Sequence, residues 1–578
     1  MDRTKILLDR GYFPTQLPPA FTTRQLARVY KSVLAVQIGG KAKCPPCKPE
    51  TYTVPRAGHQ RRITSLANPI SQCFLSSNIA QYWDDLTKHF KTGALSISVP
   101  RFVAKAERAV SIPSMHDFYE RKIIASVGSK YMLRTDISKF FPTIYSHSIP
   151  WALHGKANSK KNRTAMTPNY YGNLLDKAVR QGQDEQTFGV PIGPDTSHII
   201  AEAVATSIDL AVKKALERWP KGFRYVDDYY LFFDSHHEAE QALSAISKAL
   251  GEYELQLNFE KTLIVATDNI AEDYWTHQIR SFLFGDGGAS QRASLHHYFD
   301  FVGELARRHL DENIMKYALK RVSSIIVRKD NWDVFEAHLS RIAMIHPNTL
   351  QTVSHILGTY KHHGYALNTM RLERVLNTMI KDHAGLAHHG EVAWCLWICK
   401  IVGVKVGKDA VSSVCQMHSS VCALLLLDLE RMKLTKSRAD RSYWQQFLNA
   451  DGLKDNLWLL AYEGAVRKWA TTTDAHVLAD PHFSLLAAKN IRFYDETANS
   501  PLLFHIKETA KSDLGLSDMR EIFELDDDVS DYFDFGDVEY GYSGAVSVAT
   551  SKRSSSRRIA RPVDFDFGAD NQFGDSPF

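Results

Sequence analysis

The sequence predicts an α+β half followed by an all-α half, and three observations carry that prediction. Two short apolar stretches, Tyr131–Asp136 and Phe223–Val226, read as strands, and each runs into a carboxylate. An amphipathic pattern over Thr196–Lys214 reads as a helix between them, and a further β-rich stretch, Tyr229–Phe233, follows. Beyond residue 285 the strand signals stop and helical periodicity takes over.

Taken in order, residues 1–60 are proline-rich, with Leu17-Pro18-Pro19 and Cys44-Pro45-Pro46-Cys47. Proline fixes φ and removes a backbone donor, so an irregular segment is expected there. Residues 61–285 make the α+β part. Residues 286–520 read as short helices in series, for example within 296–307, 313–327 and 391–402. His346-Pro347, Gly358 and Gly364 fall between such stretches. Stacked helical hairpins are expected, without a strict sequence period. Residues 521–578 read as a disordered tail. Glu521–Glu539 holds nine acids and no base, and Ser551–Arg561 is basic and serine-rich. Phe533-Asp534-Phe535-Gly536 recurs as Phe565-Asp566-Phe567-Gly568.

Of the 578 residues, 23% are charged and 44% hydrophobic, a globular balance that excludes collagenous and disulfide-dense classes. No run of 18 apolar residues exists, so no membrane span is expected. The opening Met1-Asp2-Arg3-Thr4-Lys5 lacks the pattern of a signal peptide. Seven unevenly spaced cysteines fit a reduced, cytoplasmic protein. Residues 521–578 hold 13 acids and 5 bases, which leaves 52 acids and 65 bases for residues 1–520. A basic body with an acidic end suggests nucleic-acid contact. Docking of the acidic tail on the basic body, in competition with nucleic acid, is one expectation that follows.

The chemistry concentrates at Tyr225-Val226-Asp227-Asp228. Adjacent carboxylates inside apolar β-sequence are costly unless a tight turn exposes them and a divalent cation offsets their repulsion. An ordinary solvated turn is the bland alternative. Asp136 ends a second apolar strand and precedes Ile137-Ser138-Lys139-Phe140-Phe141. Three carboxylates on adjacent strand ends can hold two Mg²⁺ ions about 4 Å apart for an in-line displacement at a phosphate.

With its neighbours, this constellation resembles a reverse transcriptase. Arg108-Ala109-Val110-Ser111-Ile112-Pro113 is similar to the fingers motif, and Asp136 to Phe141 is similar to motif A. Gly189-Val190-Pro191-Ile192-Gly193-Pro194-Asp195-Thr196-Ser197 is similar to motif B, Tyr225–Asp228 to motif C, and Leu257-Asn258-Phe259-Glu260-Lys261-Thr262 to motif D. The match covers roughly residues 60–285. A narrower likeness, to the bacterial abortive-infection and defence-associated (unknown-group) reverse transcriptases, rests on three further stretches. These are Gly11-Tyr12-Phe13-Pro14 with Leu17-Pro18-Pro19, Thr135 to Lys156, and Pro191 to Ser197. That resemblance implies right-hand polymerase fingers and palm followed by an all-α helical-repeat domain.

It also implies roles. Asp136, Asp227 and Asp228 would form the catalytic, metal-binding cluster, with the Ile137 carbonyl as a further ligand and Mg²⁺ (or Mn²⁺) as cofactor. Arg108 would clamp the triphosphate. Phe141 would exclude a 2′-hydroxyl, and Lys261 would protonate the leaving pyrophosphate, a solvated helix lysine being the other reading. Gly193 and Tyr225 would line the nucleotide site. The substrates would be dNTPs and the setting antiphage defence. In that family some members make untemplated DNA primed from a tyrosine, some work with a structured noncoding RNA, and some assemble into homo-oligomers. All three stay open here, as does a nucleic-acid-binding scaffold with a vestigial site. One departure bears on the choice. Motif B has Pro191-Ile192-Gly193 where many templated enzymes have Pro-Gln-Gly, and isoleucine cannot hydrogen-bond a template base or nucleotide.

Other signals stand apart. Cys44 and Cys47 have half-zinc-site spacing, with His59 and Cys73 the nearest further ligands, but a dithiol in a surface loop is the expected reading. Cys395 and Cys399 fit core packing on a helix. Arg341 and His346 have a spacing found in some ribonucleases, and a helix stopped by His346-Pro347 is the plainer reading. Lys316, Lys320, Arg321 and Arg328 near Arg307 and Arg308 could line a nucleic-acid groove with Trp332, Tyr360 and Tyr365.

Overall fold

A computed structural model describes residues 1–506, apart from 59, 104–105, 114, 270–273 and 311–312, together with 523–524. The recurring Phe-Asp-Phe-Gly segments and nearly all of the acidic and basic tail lie outside the described residues. Phe523–Glu524 pairs antiparallel with His505–Ile506.

The N-terminal segment is more regular than its prolines suggest. Helices α1 (Arg3–Arg10) and α2 (Leu26–Leu34) occupy its proline-free stretches, and Pro14, Pro18, Pro19, Pro45 and Pro46 fall between elements. The Asp2 side chain caps α1 by accepting from the Lys5 N–H at 3.0 Å. Strands β1 (Glu50–Pro55) and β2 (Arg61–Leu66) then form an antiparallel hairpin with Tyr52 opposite Thr64. Helix α3 (Pro69–Gln81) follows, capped by Asn68 and started by Pro69.

The α+β half is built on a four-stranded antiparallel sheet. Its strands are β3 (Tyr131–Asp136), β4 (Lys221–Tyr225), β5 (Asp228–Phe233) and β6 (Leu263–Ala266), in the order β6-β3-β5-β4. Alternation along β5 splits its side chains between two cores. Tyr229, Leu231 and Phe233 join a large cluster with Ile199–Ile208 of helix α4 (Asp195–Leu216) and Ala239–Leu250 of helix α5 (His236–Glu252). Tyr230 and Phe232 pack with Phe118, Met132 and Phe223 on the other face. Both faces are covered, which explains why β5 reads as a continuous apolar run rather than an alternating one.

Between residues 286 and 500 the described secondary structure is helical. Helices α6 (Gly288–Arg308), α7 (Trp332–Ile345), α8 (Leu350–His362), α9 (Thr369–Ala384), α10 (His389–Val402), α11 (Ser420–Arg431) and α12 (Trp458–Val466) lie in series. Ten of the twelve side chains of α11 are buried, including Leu424–Leu427. The core of this half also contains Leu8, Tyr12, Tyr52 and Ile70, so the N-terminal segment packs into the helical half. Among the described residues no helix is long and apolar enough to cross a membrane.

Candidate active site

The sheet register assembles the acidic cluster. β3 ends at Asp136 and β5 begins at Asp228, and these two residues are directly opposed. The hairpin from β4 to β5 turns through Val226 and Asp227, with Tyr225 opposite Asp228. Val226 takes φ +55°, a left-handed conformation that a β-branched residue adopts only under constraint. The constraint is visible on both sides of the turn. The Val226 N–H donates to Ser98 Oγ at 2.7 Å, and the Val226 carbonyl accepts from Arg224 at 2.6 Å. The Ile137 N–H donates to the Asp227 carbonyl at 3.3 Å, which ties the end of motif A to the motif C turn. From the other side, the Asn258 N–H donates to the Asp136 carbonyl at 3.0 Å.

Asp136 is buried, and Lys261 Nζ lies 3.2 Å from its Oδ2. Lys261 sits on a single 3₁₀ turn, Phe259–Lys261, not on a solvated helix. Burial pushes the Asp228 carboxyl well above the usual carboxylate range, and the Asp227 and Asp136 charges push it further. Arg134 and Lys261 oppose the shift without cancelling it.

Behind the turn lies a second charge cluster that sequence reasoning missed. Arg224 is fully buried and donates to both oxygens of Glu202 and of Asp209 at 2.9–3.1 Å. Tyr229 OH donates to Asp209 at 2.8 Å. Burial raises both carboxyls; Arg224 brings Glu202 below its ordinary range, while Asp209 stays above it. The signal was present: Glu202 and Asp209 are seven apart on an apolar helix, hence on one face, and Arg224 lies three residues before Asp227.

Motif B is held by the N-terminal segment and the hairpin. The Ser65 N–H donates to the Ile192 carbonyl and the Asp195 N–H to the Gly11 carbonyl, both at 2.8 Å. Gly193 has φ +129°, and a Cβ there would meet Pro14 Cγ at 2.7 Å, so close packing explains this glycine. Arg108 is held by three protein groups. Its guanidinium donates to Asp195 Oδ1 from Nε at 3.0 Å, to the Phe13 carbonyl at 2.7 Å and to the Gly193 carbonyl at 2.9 Å. It joins the fingers, motif B and the N-terminal loop. The Tyr225 hydroxyl donates to the Pro113 carbonyl at 3.2 Å, and the ring meets Phe118 edge-on. Phe141 is half-buried on the one-turn helix Phe140–Thr143, and its carbonyl accepts from the Val190 N–H at 2.9 Å.

The remaining candidates settle as follows. Cys44 and Cys47 are buried, not in an exposed loop, because the Cys47 N–H donates to the Gln181 carbonyl and draws the prolyl loop against the helix ending there. His59 lies outside the described residues. Cys395 and Cys399 are in the core. His346 caps the end of α7, as its His-Pro pair suggested. Trp332 and Tyr360 stack at 4.5 Å in the interior and are core residues, not base-stacking platforms. Arg307 and Arg308 pair with Glu304.

Residues 100–284 match the family model described as reverse transcriptase (RNA-dependent DNA polymerase). The chain carries a reverse transcriptase domain. Its activity is RNA-directed DNA polymerisation. The matched span contains Asp136, Asp227, Asp228 and Lys261 and all four strands of the sheet. No curated protein matches the chain. Solved structures resembling it include apo telomerase from Candida tropicalis, at 12% identity and TM-score 0.31 over 64% of this chain and 72% of that one. Telomerase from Candida albicans with a fragment of telomeric RNA gives 12% and 0.28 over 64% and 68%.

Proposed function

We propose that this reverse transcriptase synthesises DNA from dNTPs by Mg²⁺-dependent nucleotidyl transfer in antiphage defence, with weakened dependence on a template. The observation that supports the chemistry is the opposition of Asp136 and Asp228 across β3 and β5, with Asp227 in the adjoining turn. Carboxylate oxygens are the donors Mg²⁺ takes, and the upward pressure on the Asp228 carboxyl is what a divalent charge relieves. Asp136, Asp227 and Asp228, with the Ile137 carbonyl, would hold the metal, which when bound activates a 3′-hydroxyl and stabilises charge at the α-phosphate.

The chain's own residues then divide the work. Lys261 is oriented by Asp136, 3.2 Å away, and supplies a proton to the leaving pyrophosphate. Phe141 is the wall against a ribose 2′-hydroxyl. Arg224 holds the Val226 carbonyl and so fixes the turn that presents Asp227. The Arg108–Asp195 pair keeps motif B in register with the fingers.

Relaxed template reading is favoured by Ile192, whose side chain has no hydrogen-bonding group and whose carbonyl is taken by Ser65. The defence role and a tyrosine primer rest on the sequence resemblance. Sequencing of the DNA made by the purified protein tests this reading. Products unrelated to any co-purifying RNA, retained with protein in phenol, support it. A defined sequence complementary to one cognate RNA replaces it with a conventional templated enzyme.

A further inference from the structure

A cluster far along the chain from the acidic edge has the chemistry of a transition-metal site. His383 lies in the last turn of α9, His388 immediately before α10, and Glu391 in the first turn of α10. The short connection between these helices brings two imidazoles and one carboxylate together. The Nδ1 atoms of His383 and His388 are 2.9 Å apart. Glu391 Oε1 is 3.5 Å from His388 Nδ1 and 4.0 Å from His383 Nδ1. Tetrahedral zinc with ligands at about 2.0–2.2 Å separates neighbouring ligand atoms by roughly 3.3–3.5 Å. The three separations bracket that range. Among the described residues this is the group of histidine, cysteine or carboxylate side chains whose donor atoms converge in this way.

The surroundings suit a ligand set. The Glu391 side chain is buried, while those of His383 and His388 are 19% and 23% exposed, which leaves a path for an ion. Arg61 forks onto Glu391 at 2.6 and 2.8 Å. Such an outer partner orients a ligating carboxylate and offsets the charge that would otherwise be buried alone.

We propose that His383, His388 and Glu391 bind one zinc-class divalent ion, with water completing a four-coordinate site. The imidazole that donates its Nδ1 proton to its neighbour would carry that proton on Nε2 when both Nδ1 atoms ligate, so no net proton is released. The ion would brace the helical half against the hairpin. Thr53 Oγ1 already donates to the Ala387 carbonyl at 2.8 Å, Arg61 reaches in from β2, and the same strand supports motif B through Ser65 and Ile192. This inference does not depend on how the polymerase reads its template.

The test is titration of the full chain with Co²⁺ and then Zn²⁺ in excess Mg²⁺, which occupies the hard carboxylate sites. One equivalent of Co²⁺ with the intense visible bands of four-coordinate ligation, displaced by Zn²⁺, is expected. His383→Gln and His388→Gln, made singly, should each weaken zinc binding at least about tenfold. Zinc should raise the Tm of the unaltered protein by about 2 °C or more and leave both variants unmoved. If a variant does not fold, X-ray absorption at the zinc edge of the unaltered protein decides. Two imidazole ligands support the site; sulfur ligands, or no zinc retained, overturn it. Equal zinc affinity in protein and variants also overturns it.

Discussion

Two charge clusters sit back to back across the motif C turn, and they are built on opposite principles. Behind the turn, Glu202 and Asp209 share one arginine that uses its donors on both, and Tyr229 adds a further bond. In front, Asp136 and Asp228 are opposed with Asp227 in the adjoining turn, Lys261 lies beside Asp136, and the Asp228 carboxyl is pushed up. The rear cluster is close to self-sufficient and so is structural. The front cluster leaves negative charge in excess, which is destabilising in a fold and useful at a site that must hold cations and phosphate.

The contrast breaks most severely at Arg224. Arg224→Met would strand two buried carboxylates and release the Val226 carbonyl, with a loss of about 3–5 kcal/mol in a denaturant melt. An unchanged melt would mean the rear cluster is not structural. Lys261→Met acts on the front. It should lower single-nucleotide incorporation by roughly 10²-fold with little change in Tm, because general acid catalysis contributes on that scale. Lys261→Arg would retain the ion pair to Asp136 and separates orientation from proton supply.

Arg108→Lys sharpens the boundary between structure and site. Loss of the fork to Asp195, Phe13 and Gly193 should cost about 1–3 kcal/mol of stability and leave the KM for dNTP unchanged. A raised KM with an unchanged melt would restore the triphosphate clamp. The smallest effect is in pH dependence. A carboxyl raised in the folded state binds more protons there than when unfolded. Its contribution to stability therefore falls as pH rises from about 4 through the raised folded value. Without divalent cation, the Tm of Asp228→Asn minus that of the unaltered protein should grow over that window, and Mg²⁺ should flatten the difference.

The front cluster was legible because its signal is local. Strands that run into carboxylates declare themselves, and Tyr131–Asp136 appears in the fold with those bounds. Lys261 was legible as a motif residue but not as a partner of Asp136, since only the pairing of β3 with β6 brings them together. Arg224 is harder to read because its partners lie 15 and 22 residues away on a helix, where the one-face spacing of Glu202 and Asp209 does not by itself name the arginine they share. The Arg108 contacts escape local reading for a related reason: Asp195 and the Phe13 carbonyl lie 87 and 95 residues away along the chain. In residues 1–60 the prolines punctuate the segment without breaking all of it, and two helices fit between them. Cys44 and Cys47 looked exposed because a prolyl loop usually is; the Gln181 carbonyl draws this one inward.

Nucleotidyl transfer at the acidic edge is read out by incorporation of labelled dNTPs with Mg²⁺, comparing the purified protein with Asp227→Ala plus Asp228→Ala. Robust incorporation by the unaltered protein, its loss in EDTA, and a fall of at least roughly 10²-fold in the double variant are expected, with the variant still folded by thermal melt. Incorporation by the folded double variant at the unaltered rate would contradict it.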